Sequence, residues 1–520
     1  MSRGSYPVAM DRELLDAYLH DRSRLGPAED DAFTGAAGGA ACGDLSRVSL
    51  VIEDGSVVRA SFDAEGCGAT RAATAAVAEM VEGSSVLAVA RIGTAEVDEA
   101  LGGLTPAKRH AAQLAADALH RALARAASSA QILATGSGAA QIPAGGHGEG
   151  RRAGAGSNKV WVANQDRDRV LVAMSGGVDS AVAALLEQER GAEVVGVTLK
   201  LWADPQTDGA KACCSPEAVL GARSLAHSLG IPHLTLDLEQ EFRRRVVAEF
   251  VSGYAEGSTP NPCIACNGEV RIAAMVDLAQ RLGAGYLVTG HYARIIEDAD
   301  GPLLAAASDA NKDQSYMLAA LPPGLLGRVR FPLVELTKPE VREIAARHDL
   351  AVAKKPESQD LCFLSGQGKG DFLRRHGGLR EREGDVVDRS GRAIGRHRGH
   401  HNFTVGQRRG IRVSADEPLY VLATDAAANT VTVGPRRDLM ARSVRLRNAV
   451  LHRDGSAIDA VRLRYRSQPV PATVTAAQTG RHAELQVELG EDFAGVSPGQ
   501  TAVLLRGEAI VGHGTIAAAA

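Results

Sequence analysis

The strongest signal for the fold is the stretch Val170-Leu171-Val172-Ala173-Met174-Ser175-Gly176-Gly177-Val178-Asp179-Ser180. Its apolar start predicts a buried strand, its small residues predict a tight turn, and Ala181–Leu186 predicts the first turns of a helix. Glycines let the backbone approach an anion, hydroxyls donate to it, and a helix N-terminus offers unpaired N–H groups with a favourable dipole. The stretch therefore predicts a phosphate-binding loop.

No lysine follows these glycines, so the Walker pattern that holds phosphates for γ-phosphoryl transfer is absent. The S-G-G-x-D-S form of Ser175–Ser180 instead resembles the PP-loop of ATP pyrophosphatases. That resemblance implies release of pyrophosphate and transfer of AMP to an oxygen of the substrate. A chance strand, turn and helix is the alternative for the hexapeptide alone.

Length and composition limit the class of protein. A chain of 520 residues predicts about three domains, at roughly 100–200 residues each. No apolar run approaches the roughly 18 residues of a membrane span, and the polar start lacks a signal core, so we expect a cytoplasmic protein without a membrane partner. An odd count of seven cysteines favours redox, sulfur or metal chemistry over a disulfide framework. A net charge of −4 excludes a globally basic nucleic-acid binder, but not a local basic face.

Small residues dominate residues 127–166, which predicts a flexible linker between two folding units. Residues 1–126 are predicted to form a small α+β domain. Its expected elements are two strands at 48–53 and 57–62 with a turn at Asp54-Gly55, and two helices at 69–81 and 106–126.

Strands alternate with helices across residues 167–375, which predicts an α/β domain with a doubly wound parallel sheet. The expected strands are 170–174, 194–199, 233–238 and 286–289, and the expected helices are those ending near 190 and those at 215–229 and 272–282. Ligands of such sheets lie at the carboxyl ends of the strands, where Ser175–Ser180 is predicted to lie.

Beyond residue 375 the pattern changes to short strands separated by turns, which predicts a β-barrel or sandwich. The expected strands are 418–423, 430–433, 444–450, 461–465, 472–476, 483–489 and 501–505, and Ala517–Ala520 is expected to fray. We divide this part into a central domain at 376–440 and a C-terminal β-barrel at 441–520.

The stretch Asp371–Val413 holds eleven arginines against five acids. A solvated surface is one interpretation. Because the planar guanidinium pairs with phosphate and stacks on bases, a polyanionic partner is the other.

Two thiols lie three residues apart, at Cys263 and Cys266, in the proline-containing segment Thr259–Asn267. Such a pair alone is compatible with zinc, redox exchange or an iron–sulfur cluster. A structural zinc site usually needs a second pair of cysteine ligands. The only candidates, Cys213 and Cys214, are adjacent in sequence and therefore poorly spaced to bind one ion, and we assign no mechanism to them. Cys362 lies between apolar residues and is either a core residue or a third reactive thiol.

Residues 167 to 517 resemble the tRNA-specific 2-thiouridylase (MnmA) family. The segments that carry the resemblance are Ala173–Ser180, the T-P-N-P-x-x-x-C-N loop at 259–267, Thr289-Gly290-His291-Tyr292, Asn311-Lys312-Asp313-Gln314-Ser315-Tyr316, Ser358–Phe363 and Thr404-Val405-Gly406-Gln407-Arg408-Arg409-Gly410. So many matches in order are far more specific than any single motif.

The resemblance implies that ATP adenylates the C2 oxygen of the wobble uridine at position 34 and that sulfur then displaces AMP. Cys362 matches the persulfide carrier, and Cys266 matches the nucleophile that either frees hydrosulfide or forms a disulfide with Cys362. The implied ATP-binding residues are Ala173, Met174, Ser175, Gly176, Gly177, Val178, Asp179, Ser180, Leu199 and Gly290. The implied tRNA contacts are Asn261, Pro262, Cys263, His291, Lys312, Asp313, Gln314, Arg464, Tyr465 and Gln500.

The same resemblance implies Mg²⁺ as a companion of ATP, the tRNAs for Lys, Glu and Gln as substrates, and a cysteine desulfurase or other persulfide donor as a partner. Asp179 is expected either to help hold Mg²⁺ or to cap the helix.

Cys263 departs from the family, in which well-known members carry Asp at this position. Cys263, Cys266 and Cys362 could therefore bind a [4Fe–4S] cluster that carries sulfide, as an alternative to a persulfide.

Residues 10 to 125 resemble the IscU/NifU scaffold on which iron–sulfur clusters are built. The carrying segments are Ala41-Cys42-Gly43-Asp44, Gly66-Cys67-Gly68-Ala69 and Leu104-Thr105-Pro106-Ala107-Lys108-Arg109-His110, but Ala111 stands where the scaffold has its third cysteine. Cys42, Asp44, Cys67 and His110 could still hold Zn²⁺ or a labile [2Fe–2S] centre. The alternatives are a domain that docks a desulfurase and passes persulfide to Cys362, and a degenerate docking module.

Two other functions compete with tRNA thiolation. One is a PP-loop synthetase or amidotransferase that adenylates a carboxylate, against which the cysteines and arginines argue. The other is an iron–sulfur cluster assembly or sulfur-relay scaffold in which the PP-loop domain takes no part.

Overall fold

The structure is a computed structural model that describes residues 11–39, 43–132, 166–202, 204, 216–356, 361–364, 366–475 and 477–519. Cys42, Cys213, Cys214 and most of the predicted linker, residues 133–165, lie outside the described residues.

The N-terminal domain is an antiparallel sheet of three strands covered by helices. Its elements are α1 Arg12–His20, β1 Phe33–Gly38, β2 Leu45–Glu53, β3 Ser56–Glu65, α2 Gly68–Val81, α3 Val86–Val89, α4 Thr94–Ala100 and α5 Arg109–Ile132. The predicted turn joins β2 to β3, with positive φ at both Asp54 and Gly55, as the right-handed twist of a tight hairpin prefers. The sequence prediction missed α1 and β1, and it ended α5 six residues too early.

Alanines dominate the core of this domain, because α2 and α5 bury mostly alanine faces. Small side chains bring the backbones close. Gly35 of β1 lies against the backbone of α5 at Ala118 and Ala122, where a Cβ would collide.

The next domain contains the predicted parallel sheet, with strand order β10-β7-β4-β5-β6. Its elements are β4 Asp166–Ala173, α6 Val178–Glu189, β5 Glu193–Lys200, α7 Pro216–Ser228, β6 His233–Asp237, α8 Glu239–Phe242, α9 Ala248–Ala255, α10 Pro262–Ala265, α11 Ile272–Arg281, β7 Ala284–Thr289, β8 Arg294–Asp298, β9 Gly301–Ala305, α12 Pro323–Leu326, β10 Val329–Arg330, α13 Lys338–Arg347 and α14 Lys369–Gly377. Strands β5 and β6 lie on one side of β4, whereas β7 and β10 lie on its other side. In such folds ligands bind in the crevice between the two strands at this change of direction, here at the carboxyl ends of β4 and β7.

Two π-helical segments interrupt the helices of this domain. One covers Arg243–Val247 between α8 and α9, and the other covers Cys266–Arg271 between α10 and α11. Such segments are rare and are frequent at functional sites.

The central domain has a four-stranded sheet of order β12-β11-β14-β13. Its strands are β11 Gly384–Val387, β12 Ala393–His397, β13 Tyr420–Asp425 and β14 Thr430–Gly434. The sequence prediction missed β11 and β12, which lie within the arginine-rich stretch.

The C-terminal domain is a closed barrel of six strands, which confirms the predicted β-barrel. The strands are β15 Met440–Leu451, β16 Ala460–Arg462, β17 Val470–Val474, β18 Gly480–Ala494, β19 Thr501–Arg506 and β20 Ala509–Ala519, in the order β15-β18-β17-β16-β19-β20 with β20 pairing back to β15. The expectation that Ala517–Ala520 frays was wrong for its described residues: Ala518 and Ala519 pair with Arg445 and Val444, because β20 closes the barrel.

The N-terminal domain docks on the edge of the parallel sheet, with α5 running beside β6. Asp117 forms an ion pair with Arg223, and both side chains are about nine-tenths buried. His233 N donates to Ala90 O at 3.0 Å, and at the other end of the strand Asp237 N donates to Ser128 Oγ at 2.9 Å. The two domains share one continuous hydrophobic cluster.

Among the described residues, no helix has both the length and the apolar character needed to cross a bilayer.

Candidate active site and a second cysteine site

The phosphate loop begins where β4 ends and finishes in the first turn of α6. Gly177 caps the helix, and Gly176 has a φ of +68°, a conformation that favours glycine. Ser180 Oγ accepts from Ser175 N at 3.2 Å and donates to Gly177 O at 3.1 Å. These bonds close the turn around the first N–H groups of α6, which together make an anion site.

The other predicted nucleotide-binding residues surround this loop. Ala173 ends β4, Met174 and Val178 are buried beside it, and Leu199 is buried at the carboxyl end of β5. Gly290 follows β7, and a Cβ there would come within 2.8 Å of Ser180 N. The crevice between β4 and β7 therefore closes tightly on the start of α6.

The Asp179 carboxylate is held by two side chains. Lys338 Nζ lies 2.6 and 2.7 Å from its two oxygens, and Tyr292 Oη donates to Oδ1 at 2.9 Å. Gly177, rather than Asp179, is the N-cap residue. Asp179 therefore links α6 to α13 and to the segment after β7.

The segment Thr259–Asn267 brings Cys266 into the interior. Asn261 caps α10 by accepting from Cys263 N at 3.2 Å, and Pro262 begins the helix, a position where its missing N–H costs nothing. Cys266 ends α10, begins the π-helical segment and is 6% exposed, whereas Cys263 is half-buried.

This segment is clamped between the central domain and the barrel. Thr259 N donates to Pro498 O at 2.8 Å, and Gln500 Nε2 donates to Thr259 O at 2.7 Å. Thr259 Oγ1 also donates to Thr404 Oγ1 of the central domain at 3.3 Å. Three domains thus fix the position of one loop.

Arg464 and Tyr465 lie beside the same loop. Arg464 donates to Val405 O at 3.0 Å and to Gly495 O, which joins the central domain to the barrel. The ring of Tyr465 lies 5.9 Å from that of Tyr316, whose hydroxyl donates to Thr501 O at 2.7 Å. Burial raises the pKa of Tyr316, while a hydrogen bond to Asn261 opposes the shift.

The predicted tRNA-contacting residues 312–314 lie between the phosphate loop and the barrel. Tyr292 N donates to Gln314 Oε1 at 3.1 Å, while Asp313 accepts from Ser315 Oγ at 2.9 Å and from Arg462 at 3.2 Å. The backbone N–H of Lys312 donates to Asp309 O at 2.9 Å.

His291 lies at the carboxyl end of the same crevice. Its Nδ1 is 2.8 Å from Thr289 Oγ1, and its ring packs edge-on against Phe331. Burial, with a smaller contribution from the Arg271 charge, lowers the pKa of His291 to about 3, so the imidazole is neutral at pH 7.

Cys362 lies against a cluster of aromatic rings. The ring of its neighbour Phe363 packs 5.0–5.8 Å from those of Phe242, Phe250 and Phe372. Cys362 is half-buried and belongs to the same hydrophobic cluster as Cys266. Of the two predicted catalytic cysteines, Cys266 is thus buried and Cys362 is half-buried.

A second cysteine site lies in the N-terminal domain. One ligand atom each of Asp44, Cys67 and His110 lies within 4.8 Å of the others, and the described residues hold no other such group of three. Asp44 accepts from Cys67 N at 2.8 Å, which with His110 and Thr70 lowers the pKa of its carboxyl, so it is ionised at pH 7. Thiolate, carboxylate and imidazole are a donor set that fits Zn²⁺.

Sequence reasoning did not find Lys338, Thr404 or Tyr316 as parts of the site. Lys338 begins α13 within a capping box, Thr337–Glu340, so its local pattern indicates only a helix start. Their roles come from contacts between residues far apart in the chain, which no local pattern encodes.

The fold and the two sites define an α/β protein with an anion site at the start of α6, joined to a small domain in which a carboxylate, a thiol and an imidazole converge. Four family models match the chain in order: NifU-like N terminal domain at residues 9–130, tRNA methyl transferase HUP domain at 168–366, tRNA methyl transferase PRC-barrel domain at 370–435, and Aminomethyltransferase beta-barrel domain at 438–516.

The relatives identify the family. A protein of Rubrobacter xylanophilus named "Bifunctional protein NifU/MnmA" is 45% identical over 504 residues, which covers 96% of this chain and 97% of that protein. "tRNA-specific 2-thiouridylase MnmA" of Geobacter metallireducens is 41% identical, covering 68% of this chain and 98% of the relative, and that of Sorangium cellulosum is 43% identical, covering 68% and 92%. The chain belongs to the tRNA-specific 2-thiouridylase MnmA family and carries a NifU-like N-terminal domain.

Proposed function

We propose that the protein is an ATP-dependent tRNA uridine 2-sulfurtransferase that acts on the wobble uridine of tRNAs for Lys, Glu and Gln, in the cytoplasm. The observation that carries this proposal is the clamped segment Thr259–Asn267 of the parallel-sheet domain, which contains Cys266 and whose first residue contacts both the central domain and the barrel. An enzyme that must meet ATP and a large nucleic acid at one thiol needs such an arrangement.

The first step is activation of a poor electrophile. The C2 oxygen of uridine attacks the α-phosphorus of ATP, pyrophosphate leaves, and AMP remains on the oxygen as a leaving group. The N–H groups at the start of α6, with Ser175 and Ser180, are suited to bind the phosphates. Mg²⁺ would neutralise phosphate charge there; binding it through Asp179 requires displacement of Lys338 from that carboxylate.

The second step delivers sulfur from a persulfide on Cys362. Attack of the Cys266 thiolate on the Cys362 sulfur forms a Cys266–Cys362 disulfide and releases hydrosulfide, which displaces AMP from C2. If the terminal sulfur attacks C2 first, Cys266 then cleaves the mixed disulfide to the same products. An external thiol reduces the disulfide in either case.

Contacts to tRNA are proposed for Asn261, Pro262, Cys263 and His291, for Lys312, Asp313 and Gln314, and for Arg464, Tyr465 and Gln500. In support, Asn261 and Gln500 form hydrogen bonds within or to the segment Thr259–Asn267, and Arg464 joins the central domain to the barrel. The neutral His291 is suited to hydrogen-bonding rather than to pairing with phosphate charge.

The experiment combines the full-length protein with a tRNA that carries a wobble uridine, ATP, Mg²⁺ and a small-molecule persulfide donor. The proposal expects thiolated nucleoside and one AMP per nucleoside. Bound tRNA without thiolated product would contradict it. If metal-free protein is as active as protein that retains its metal, the [4Fe–4S] alternative, which was raised because of Cys263, is excluded.

A second function is proposed for the N-terminal domain, on the observation that Asp44, Cys67 and His110 converge. This group, with Cys42 as a further candidate ligand, would hold Zn²⁺ or a [2Fe–2S] centre, or would receive persulfide from a cysteine desulfurase. Metal analysis of the purified protein, and thiolation with desulfurase and cysteine compared with free sulfide, distinguish these possibilities.

A further inference from the structure

The phosphate loop has no lysine of its own, but the fold brings one to it. Lys355 Nζ donates to Gly176 O, in the middle of the loop, at 2.9 Å. Lys355 lies beyond the end of α13, far from the loop in sequence.

The charge of Lys355 is the one that remains available at this loop. Lys338 is 2.6 Å from the Asp179 carboxylate, so its charge is already matched. Among the described residues, Lys355 meets only the neutral carbonyl of Gly176, and no carboxylate pairs with it. An exposed ammonium bound to a neutral acceptor can turn to an incoming anion at little cost.

The backbone of the lysine is fixed by α13. Arg342 donates to Ala353 O at 2.9 Å and to Lys355 O at 3.4 Å. The ammonium is therefore delivered to the loop by a braced segment rather than by a freely moving tail.

We propose that Lys355 binds the β- and γ-phosphates of ATP and the pyrophosphate they become. The inference rests on the proposed binding of ATP at Ser175–Ser180. The bond that breaks in adenylation lies between the α- and β-phosphates, so negative charge develops on the leaving pyrophosphate, and a cation there stabilises the transition state. Lys355, which follows α13 in the sequence, thus takes the place of the lysine that the phosphate loop lacks.

The test measures binding of ATP, inorganic pyrophosphate and AMP, with Mg²⁺ present, to the full-length protein by titration calorimetry. Lys355→Gln is expected to weaken ATP and pyrophosphate binding about 10- to 100-fold, the worth of a charged hydrogen bond, and AMP binding less than about twofold. Lys355→Arg should restore most of the loss. Lys354→Gln removes an equal charge from the neighbouring exposed position and should bind all three ligands like the wild type.

Wild-type affinity of Lys355→Gln for ATP and pyrophosphate would overturn the inference and leave the proposed function intact. An equal loss of AMP binding would also overturn it, because the lysine would then support the shape of the loop. Failure of the wild type to bind ATP would overturn the proposed function and the inference together.

Discussion

The chain holds two cysteine sites that differ in almost every physical respect. Cys67 is exposed beside an ionised carboxylate and an imidazole, a setting for a metal or an exchangeable sulfur. Cys266 is 6% exposed and Cys362 is half-buried, so both thiols are more shielded from water than Cys67. The difference agrees with the proposal that receiving sulfur and using it are separate tasks.

The two sites also lie at opposite ends of the domain interface. His110 is in the first turn of α5, and Ser128 lies 18 residues later, about 27 Å along the helix at 1.5 Å per residue. Ser128 binds the carboxyl end of β6, and Phe242 of the following helix touches Phe363, the neighbour of Cys362.

The largest effect is expected from removal of the enclosed nucleophile. Cys266→Ser should lower thiolation driven by a small-molecule persulfide donor on the order of a thousandfold or more, since the hydroxyl does not attack the Cys362 persulfide and cannot form the disulfide. Cys67→Ser should change the same rate less than about twofold. Quantification of thiolated nucleoside in single-turnover reactions measures both. Similar losses in the two variants would remove the distinction between the sites.

The next effect concerns the docking of the two domains. Asp117→Ala leaves Arg223 buried without its partner and should lower the free energy of unfolding by about 3–5 kcal/mol. Glu417→Ala removes the partner of the exposed Arg437 and should cost less than about 1 kcal/mol. Denaturant unfolding provides the measurement. An Asp117→Ala variant as stable as Glu417→Ala would mean that the interface contributes little.

A smaller effect is expected at the exposed site. His110→Ala removes one of three converging donors and should weaken Zn²⁺ binding about 10- to 100-fold in competition with a chromogenic chelator. His20→Ala, an exposed histidine on α1, serves as the matched control. Equal affinity of both variants would show that the ion binds elsewhere.

The smallest effect is a pH dependence of the docked state. Burial lowers the pKa of His120 and His227 and lowers that of His233 to about 3. Below the ordinary histidine pKa near 6.5 the unfolded chain binds protons that the folded chain excludes, so stability is complete above that pH and falls as the pH falls further.

Each of these histidines contributes at most about 1.4 kcal/mol per pH unit between pH 6.5 and its folded pKa. Unfolding free energies measured at pH 7 and pH 5.5 should show the loss, and His120→Gln should reduce it. His482→Gln, on the exposed side of β18, should leave the slope unchanged. A slope that His120→Gln does not alter would assign the pH dependence to other groups.

Local patterns were sufficient for much of the fold. The apolar run before Ser175 and the alternation of strands and helices predicted the parallel sheet and the loop at its carboxyl edge, and the structure has both. The prediction for the last strand failed because its small residues resemble those of a frayed tail. Ala509–Ala519 is ordered because it pairs with a strand on each side in a closed barrel, which is a tertiary effect.

The site was predictable as a set of residues but not as an arrangement. The resemblance named Cys266 and Cys362, and their catalytic roles stay predictions; the structure shows that the first is buried and the second half-buried. Lys338 pairs with Asp179 and Lys355 with Gly176, although the partners lie about 160 and 180 residues apart in the sequence. A lysine at a helix start or in a loop has no local sequence pattern that predicts such a contact.

The central claim is that sulfur reaches the uridine through Cys362 and Cys266. The most direct test incubates the wild type with a persulfide donor, adds ATP and tRNA, quenches by alkylation at intervals, and analyses the peptides by mass spectrometry. We expect an added sulfur atom on the Cys362 peptide that disappears as AMP and thiolated nucleoside form, followed by a Cys266–Cys362 disulfide. Thiolation that proceeds while the Cys362 peptide never carries added sulfur would contradict it.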